Sequence, residues 1–327
     1  MSGGQHSSMR VLVACFPKSG STFLANLIGG LPGFKVESYV PDHERREQEL
    51  CDTAIDKCEG VHQVAQLHVR SSWSTMHLIE KWDINTIVLV RNIYDAIVSL
   101  TDHIHRESPA FPHAWFNETT ASLPFDKRLA AVVELAGPWF FNFYVSWWFG
   151  RPEAIVLYED VVLGGLDRQA EFLVSRGIAA STEDVATSLA RIDPAKTRLN
   201  VGKAGRGGSL LSAEQREWLA GLTRHYSDVD FTPIGLPNRG GYKKPSAPPV
   251  AGSTSRAFFD TQLRSQDYDR VLMANCSSCQ FWIEKAEVTA LIRKCMNVNG
   301  PNHELWMSQI DKCCSWSRIP AVANKSS

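Results

Sequence analysis

The sequence predicts an α/β domain built on a central parallel sheet, and two observations lead there. First, the runs Arg10 to Phe16, Thr86 to Val90 and Ala154 to Tyr158 are strand-length and apolar without alternation. Strands buried on both faces of a parallel sheet have that composition. Second, the first two runs pass through a turn into apolar residues at helical spacing. After Arg10 to Phe16 come Phe23, Leu24, Leu27 and Ile28; after Thr86 to Val90 come Ile93, Ala96, Ile97 and Leu100. Strand, turn and helix in repetition give parallel strands joined by crossover helices.

The 327 residues, 44% hydrophobic, suffice for one large α/β domain or for an ordinary domain with an appendage. A net charge of −1 leaves no bulk basic field, so neither nucleic acid nor an acidic membrane is an expected partner. Anion binding then falls to local clusters. Met1 to Ser8 is polar, and the apolar run after it is no longer than a strand. No cleavage site follows, and no apolar segment is read as long enough to span a bilayer. A cytoplasmic protein without a membrane span is the expectation. Four segments are expected: a flexible N-terminus (1–8), the α/β domain (9–242), a Pro/Ser/Gly-rich linker (243–255) and a small helical, Cys-containing appendage (256–327).

In chain order, the first strand stops at Pro17, and Lys18-Ser19-Gly20-Ser21-Thr22 leads into the first helix. Free backbone N–H groups and the positive helix end converge there, which makes an anion site. Lys18 adds a point charge, and Ser19, Ser21 and Thr22 add hydroxyl donors. A phosphate or a sulfate suits the spot. The nucleotide-triphosphate loop G-x-x-x-x-G-K-[ST] is absent, because Lys18 precedes the glycine. Asp42 to Asp52 is dense in charge and reads as a solvated helix face or mobile loop. Gly60 to Arg70 reads as a strand ending near His68, followed by a helix over Ser74 to Lys81. The strand Thr86 to Val90 delivers Arg91 to a carboxyl edge, where open α/β sheets bind ligands. Ser99 lies eight residues further, about two helical turns, and so returns to the same side. Glu107 to Asp126 is irregular, and Lys127 to Phe149 is a long aromatic helix whose rings suit a core face. Helices are expected over Leu166 to Ser175, Thr182 to Arg191 and Ser212 to His225, the last opened by a Ser212/Gln215 capping box. Arg198 to Leu211 is a glycine- and cation-rich loop.

Four stretches carry a family resemblance. Pro17-Lys18-Ser19-Gly20-Ser21-Thr22-Phe23 resembles the PKSGTTW loop of sulfotransferases that use 3′-phosphoadenosine 5′-phosphosulfate (PAPS). Arg91-Asn92-Ile93-Tyr94-Asp95 with Ser99 resembles the family's R-N-P-x-D-x-x-x-S, with Ile93 in place of proline. Tyr158-Glu159-Asp160 matches its Y-E-D, and Gly202-Lys203-Ala204-Gly205-Arg206 resembles its late glycine loop. In that loop Asn200 and Val201 stand where the animal cytosolic pattern has arginine and lysine; Lys203, Arg206 or Arg198 would supply the charge. The likeness covers roughly residues 9 to 236.

The resemblance implies a three-layer α/β/α sheet fold of the P-loop-NTPase type, PAPS as co-substrate with PAP as product, and no required metal. It implies Lys18 at the bridging oxygen. Backbone N–H groups of Ser19, Gly20, Ser21 and Thr22 would meet the 5′-phosphate and sulfuryl oxygens. Phe23 and Tyr158 would lie near the adenine, with Arg91 and Ser99 on the 3′-phosphate and Gly202, Lys203, Gly205 and Arg206 closing over it. His68, 23 residues ahead of Arg91, takes the place of the family's catalytic base, although the family's K-T-H reads Gln66-Leu67-His68 here. His62, His77, His103 and His105 are rivals, His103 foremost. The expected acceptor is a small-molecule hydroxyl or amine, with a pocket expected to involve Glu107 to Asp126 and the aromatic helix after it. A carbohydrate or lipid-linked acceptor, or a nucleotide binder without catalysis, are the other readings; a P-loop kinase is the remotest. In the appendage, Cys276, Cys279, Cys295, Cys313 and Cys314 with His303 read as free thiols on helices before a zinc knot or disulfides. Oligomeric state is not legible.

Overall fold

Five strands, β1 (Arg10–Cys15), β2 (Phe34–Val36), β3 (His62–Leu67), β4 (Ile84–Val90) and β5 (Ile155–Leu157), pair in parallel in the order β2-β3-β1-β4-β5. The computed structural model describes residues 8–41, 47–57, 61–111, 113–193 and 205–239. The chain divides into two units, Met1–Ala251 and Gly252–Ser327. The linker, the appendage with its five cysteines and Gly202–Lys203 lie outside the described residues, so the expectations for them do too.

The absence of alternation in the apolar runs has its reason in the packing. Along β1, Leu12 and Ala14 face one layer, whereas Val11, Val13 and Cys15 face the other. The first layer holds α3 (Trp73–Lys81), α4 (Ile93–Arg106) and α6 (Phe125–Gly150). The second holds α1 (Ser21–Gly29), α7 (Tyr158–Val161), α8 (Leu166–Ser175) and α9 (Thr182–Arg191). This is the expected three-layer α/β/α arrangement. The described part also holds the short helices α2 (Asp52–Asp56), α5 (Glu118–Ser122) and α10 (Arg206–Leu210), the longer α11 (Ala213–Gly221), and single tighter turns of helix.

α1 buries Leu24, Leu27 and Ile28 and half-buries Phe23. α11 opens with the Ser212/Gln215 capping box. It stops at Gly221, where the tighter helix of Leu222–His225 takes over, short of one continuous helix to His225. β2, which the sequence does not signal, is a three-residue edge strand with Lys35 and Val36 exposed. α5 likewise lies inside the stretch read as irregular. Buried Arg128 fixes it, donating to the carbonyls of Thr101 (3.1 Å), Ala121 (3.3 Å) and Leu123 (2.5 Å).

The rings of α6 form the expected core face: Trp139, Phe140, Phe141, Phe143, Tyr144 and Trp147 are all buried. Phe16, the first residue after β1, meets Phe140 and Phe143 edge-on at 5.1 and 5.2 Å. The loop that follows β1 is thereby anchored in the core. With 26 residues, α6 is also long and apolar enough to cross a membrane by length and composition; 61% of its most apolar window is buried inside the fold.

Candidate functional site

Strand register decides which side chains meet. Leu67 pairs with Ala14, Cys15 with Leu89, and Val90 with Leu157. All strands run the same way, so the residues just past these ends share one carboxyl edge. Across β3, β1, β4 and β5 they are His68, the Phe16–Gly20 loop, Arg91 and Tyr158. Neighbouring strands are ~4.8 Å apart, so the row spans roughly three strand spacings.

The loop turns through two left-handed residues, Lys18 (φ 65) and Gly20 (φ 80). A Cβ on Gly20 would sit 2.8 Å from Cε2 and 2.9 Å from Cδ2 of Tyr158, so only glycine fits. Gly20 is the N-cap of α1 and no side chain caps the helix, which leaves its first-turn N–H groups to the edge. Ser19 departs from the expected donor set. Its N–H (3.3 Å) and its hydroxyl (2.7 Å) both donate to the Phe16 carbonyl, closing the turn instead of facing outward. Ser21 is buried, and Thr22 and Phe23 are half-buried. The Lys18 ammonium lies 4.0 Å from Glu107 Oε1 at the end of α4, and Glu107 Oε2 lies 3.1 Å from His103 Nδ1.

Arg91 and Lys18 belong to one patch. Arg91 Nη1 donates to the Lys18 carbonyl (3.2 Å), and the guanidinium lies over the Tyr158 ring at 4.4 Å. Burial is the main cause that holds the Tyr158 phenol above its ordinary range. Asn92 caps α4 by accepting from the N–H groups of Tyr94 (3.0 Å) and Asp95 (3.4 Å). Two turns along α4, Ser99 is buried. Arg206, expected as a cation of the late loop, donates to Asp102 Oδ2 at 2.9 Å. The Gly205 N–H likewise goes to Asp95 (2.6 Å).

On the other flank, His68 Nδ1 lies 3.0 Å from the Cys15 carbonyl and 3.3 Å from its sulfur. A carbonyl only accepts, so Nδ1 carries the hydrogen, and in the neutral ring Nε2 is the basic nitrogen. Gln66, where the family has lysine, donates to the Cys15 sulfur at 3.3 Å. Burial pushes the Cys15 thiol up to about 12, so it stays protonated at neutral pH. Of the rival histidines, His62 accepts from Met9 N–H (2.9 Å) at the opposite end of β3, His77 stacks on Trp73, and His105 bonds the Ala121 carbonyl (2.8 Å).

His113 has no sequence signal, because a lone histidine in an irregular stretch says nothing of its neighbours. It stacks on Trp139 at 3.8 Å and meets His68 edge-on at 5.8 Å. Both its ring nitrogens are buried without a hydrogen-bond partner among the described residues. Burial first, then the nearby His68 and Arg70, push its pKa down to about 2. The unfolded chain protonates this histidine below pH ~6.5, and the native state does not until about pH 2. It therefore costs no stability above pH ~6.5, and folding weakens as pH falls below it, by up to ~1.4 kcal/mol per unit. Urea unfolding from pH 6 to pH 4 should show a shallower loss for His113→Phe than for the wild type; parallel curves would contradict this.

No family model matches the sequence, and no curated protein matches it. Among solved structures, mouse sulfotransferase SULT7A1 complexed with PAP is similar over 69% of this chain and 86% of that chain, with a TM-score of 0.51 and 18% identity. A sulfotransferase from Alicyclobacillus acidocaldarius matches 66% of this chain and 91% of its own at 11% identity, with a TM-score of 0.37, too low to bear on the argument. A parallel sheet of order β2-β3-β1-β4-β5 between two helical layers, and a solved sulfotransferase that follows it over most of its length, give one conclusion: this chain has the sulfotransferase fold.

Proposed function

We propose that the protein is a sulfotransferase that moves the sulfuryl group of PAPS to a hydroxyl or amine of a small-molecule acceptor. The observation that carries this reading is the order of groups along the carboxyl edge. A stacked arginine comes first, then a lysine-bearing turn at a helix N-terminus, then a histidine whose Nδ1 bonds a backbone carbonyl. Arg91, with Ser99, holds the 3′-phosphate of the donor, for which a planar guanidinium is suited. N–H groups of the first turn of α1 hold the 5′-phosphate and sulfuryl oxygens. The adenine lies toward Tyr158 and Phe23. Lys18 offsets the charge that builds on the bridging oxygen as its bond to sulfur breaks. The acceptor oxygen or nitrogen attacks sulfur in line, and its proton passes to His68 Nε2. The products are the sulfated acceptor and PAP.

The acceptor approaches from the side of His68, next to which Phe111, His113 and Trp139 pack ring against ring. A nucleotide-binding protein without catalysis is the second reading, favoured by one observation: Gln66, in the place of the family's lysine, faces the Cys15 sulfur. One experiment separates the two. PAP is titrated calorimetrically into the full chain, and radiolabelled PAPS is then offered with a panel of phenols, alcohols, amines and oligosaccharides. Binding with transfer supports the enzyme, and the acceptor class that is labelled decides between small-molecule and carbohydrate substrates. Binding without transfer to any acceptor supports the second reading. Absence of PAP binding would overturn both.

A further inference from the structure

We infer that Asp95 is a positioning residue that sets donor affinity by fastening the late glycine turn and Arg91 to one carboxylate; this rests on the donor reading above. Asp95 is buried on the first turn of α4. Its Oδ2 accepts from the Gly205 N–H and its Oδ1 from the Gly207 N–H, each at 2.6 Å. Arg91 Nη2 lies 3.7 Å from the same Oδ2. Both oxygens are thus engaged by backbone, and one is shared with the guanidinium.

The glycines make the contact possible. Gly205 has φ +87, a turn that other residues adopt only with strain. A Cβ on Gly207 would lie 2.4 Å from the Tyr94 carbonyl carbon and 2.7 Å from the Asp95 nitrogen. The turn can therefore press on α4 only as Gly-Arg-Gly. Seven residues beyond Asp95, about two turns along the same face, Asp102 Oδ2 accepts from Arg206 at 2.9 Å and fastens the turn a second time.

The arrangement has a consequence for the donor. The Gly205 and Gly207 N–H groups are held by a carboxylate, so this turn acts through its position. Arg91, restrained by Asp95, by the Lys18 carbonyl and by the Tyr158 ring, keeps its planar fork aimed before a phosphate arrives. Such pre-orientation removes ordering cost from binding. Asp95 touches no reacting atom, so its loss should act on donor affinity and leave the transfer step alone.

The test uses the full chain, calorimetric PAP titration and steady-state kinetics. Asp95→Asn keeps shape but sets an amide N–H₂ against a backbone N–H. PAP affinity should fall by ~10-fold or more, as expected when a buried charged hydrogen bond is broken. The rate at saturating PAPS and the KM for the acceptor should stay within ~2-fold, a split that simple loss of fold would not give. Amide exchange at Gly205 and Gly207 should quicken in the variant, a readout that needs no donor. Gly207→Ala leaves Asp95 and Arg91 intact while lifting the turn, and should reproduce the affinity loss; it carries the test if Asp95→Asn does not fold. A folded variant of either kind with wild-type PAP affinity overturns the inference. A wild type that does not bind PAP overturns the donor reading instead, and exchange alone then reports whether Asp95 fastens the turn.

Discussion

Replacing His68 by alanine should abolish turnover while leaving PAP affinity within ~2-fold of the wild type. A positioned general base contributes ~10²- to 10⁴-fold to rate, so the fall should lie in that range. The geometry explains why binding survives. His68 is the first residue past β3, on the flank of β1 away from Arg91 and Tyr158. Its backbone N–H donates to Gln48 Oε1 at 2.6 Å, a contact that alanine keeps. What alanine removes is the imidazole bonded at Nδ1 to the Cys15 carbonyl, and with it the Nε2 lone pair. Single-turnover kinetics with saturating PAPS, beside a PAP titration, measure both halves. Wild-type-like turnover would take His68 out of the role. His103, engaged with Glu107 beside Lys18, would then be the group to replace next.

The sheet was largely legible in the sequence because its signals are local. Continuous apolar runs at Arg10, Thr86 and Ala154 mark strands with both faces covered, and the structure covers them. Leu166–Ser175 and Thr182–Arg191 are helices with the bounds that their apolar spacing gives. β2 escaped because three edge residues, two of them exposed, have no periodicity to read. The third run is shorter than its apolar stretch, since Ala154 ends a tight turn and Tyr158 already opens α7.

The site was legible in part, and the division is physical. Motif spacing places Lys18, Arg91, Tyr158 and His68, because each directly follows or closely trails a strand end, and register then brings them to one edge. Spacing cannot say where a hydroxyl points: Ser19 offers a donor in the loop, and its turn folds that group back onto the Phe16 carbonyl. Nor can it pair residues distant in sequence. The contacts of Asp95 with Gly205 and Gly207, of Glu107 with Lys18 and of His113 with His68 arise only when the chain is packed. Arg206 shows the same limit: a cation in a glycine loop invites a phosphate, but Asp102 on α4 reaches it.

Lys18→Ala should lower the rate by a similar factor with every acceptor, ~10²- to 10³-fold, the range for losing one group that stabilises developing charge. The uniformity is the informative part. In sulfuryl transfer the leaving oxygen belongs to the donor, so a group acting there has no view of the acceptor. The loop supports this placement. Lys18 holds a left-handed backbone, rare for a residue with a side chain, and its carbonyl is fixed by Arg91. Such a conformation persists only where surrounding contacts hold it, and alanine, which has the same preference against it, should keep the loop's path. Its ammonium lies 4.0 Å from Glu107, an ion pair at the α4 terminus from which it must be shared or released to reach a bridging oxygen. Glu107→Gln should therefore raise, or leave unchanged, the rate that Lys18→Ala lowers. In the Lys18→Ala background it should do nothing, because the two act through one contact. Rates with a phenol, an alcohol and an amine, measured for the single and double variants, decide the matter. A Lys18→Ala defect confined to one acceptor would move Lys18 from the donor side to the acceptor side, and a Glu107→Gln effect that persists without Lys18 would separate the two residues.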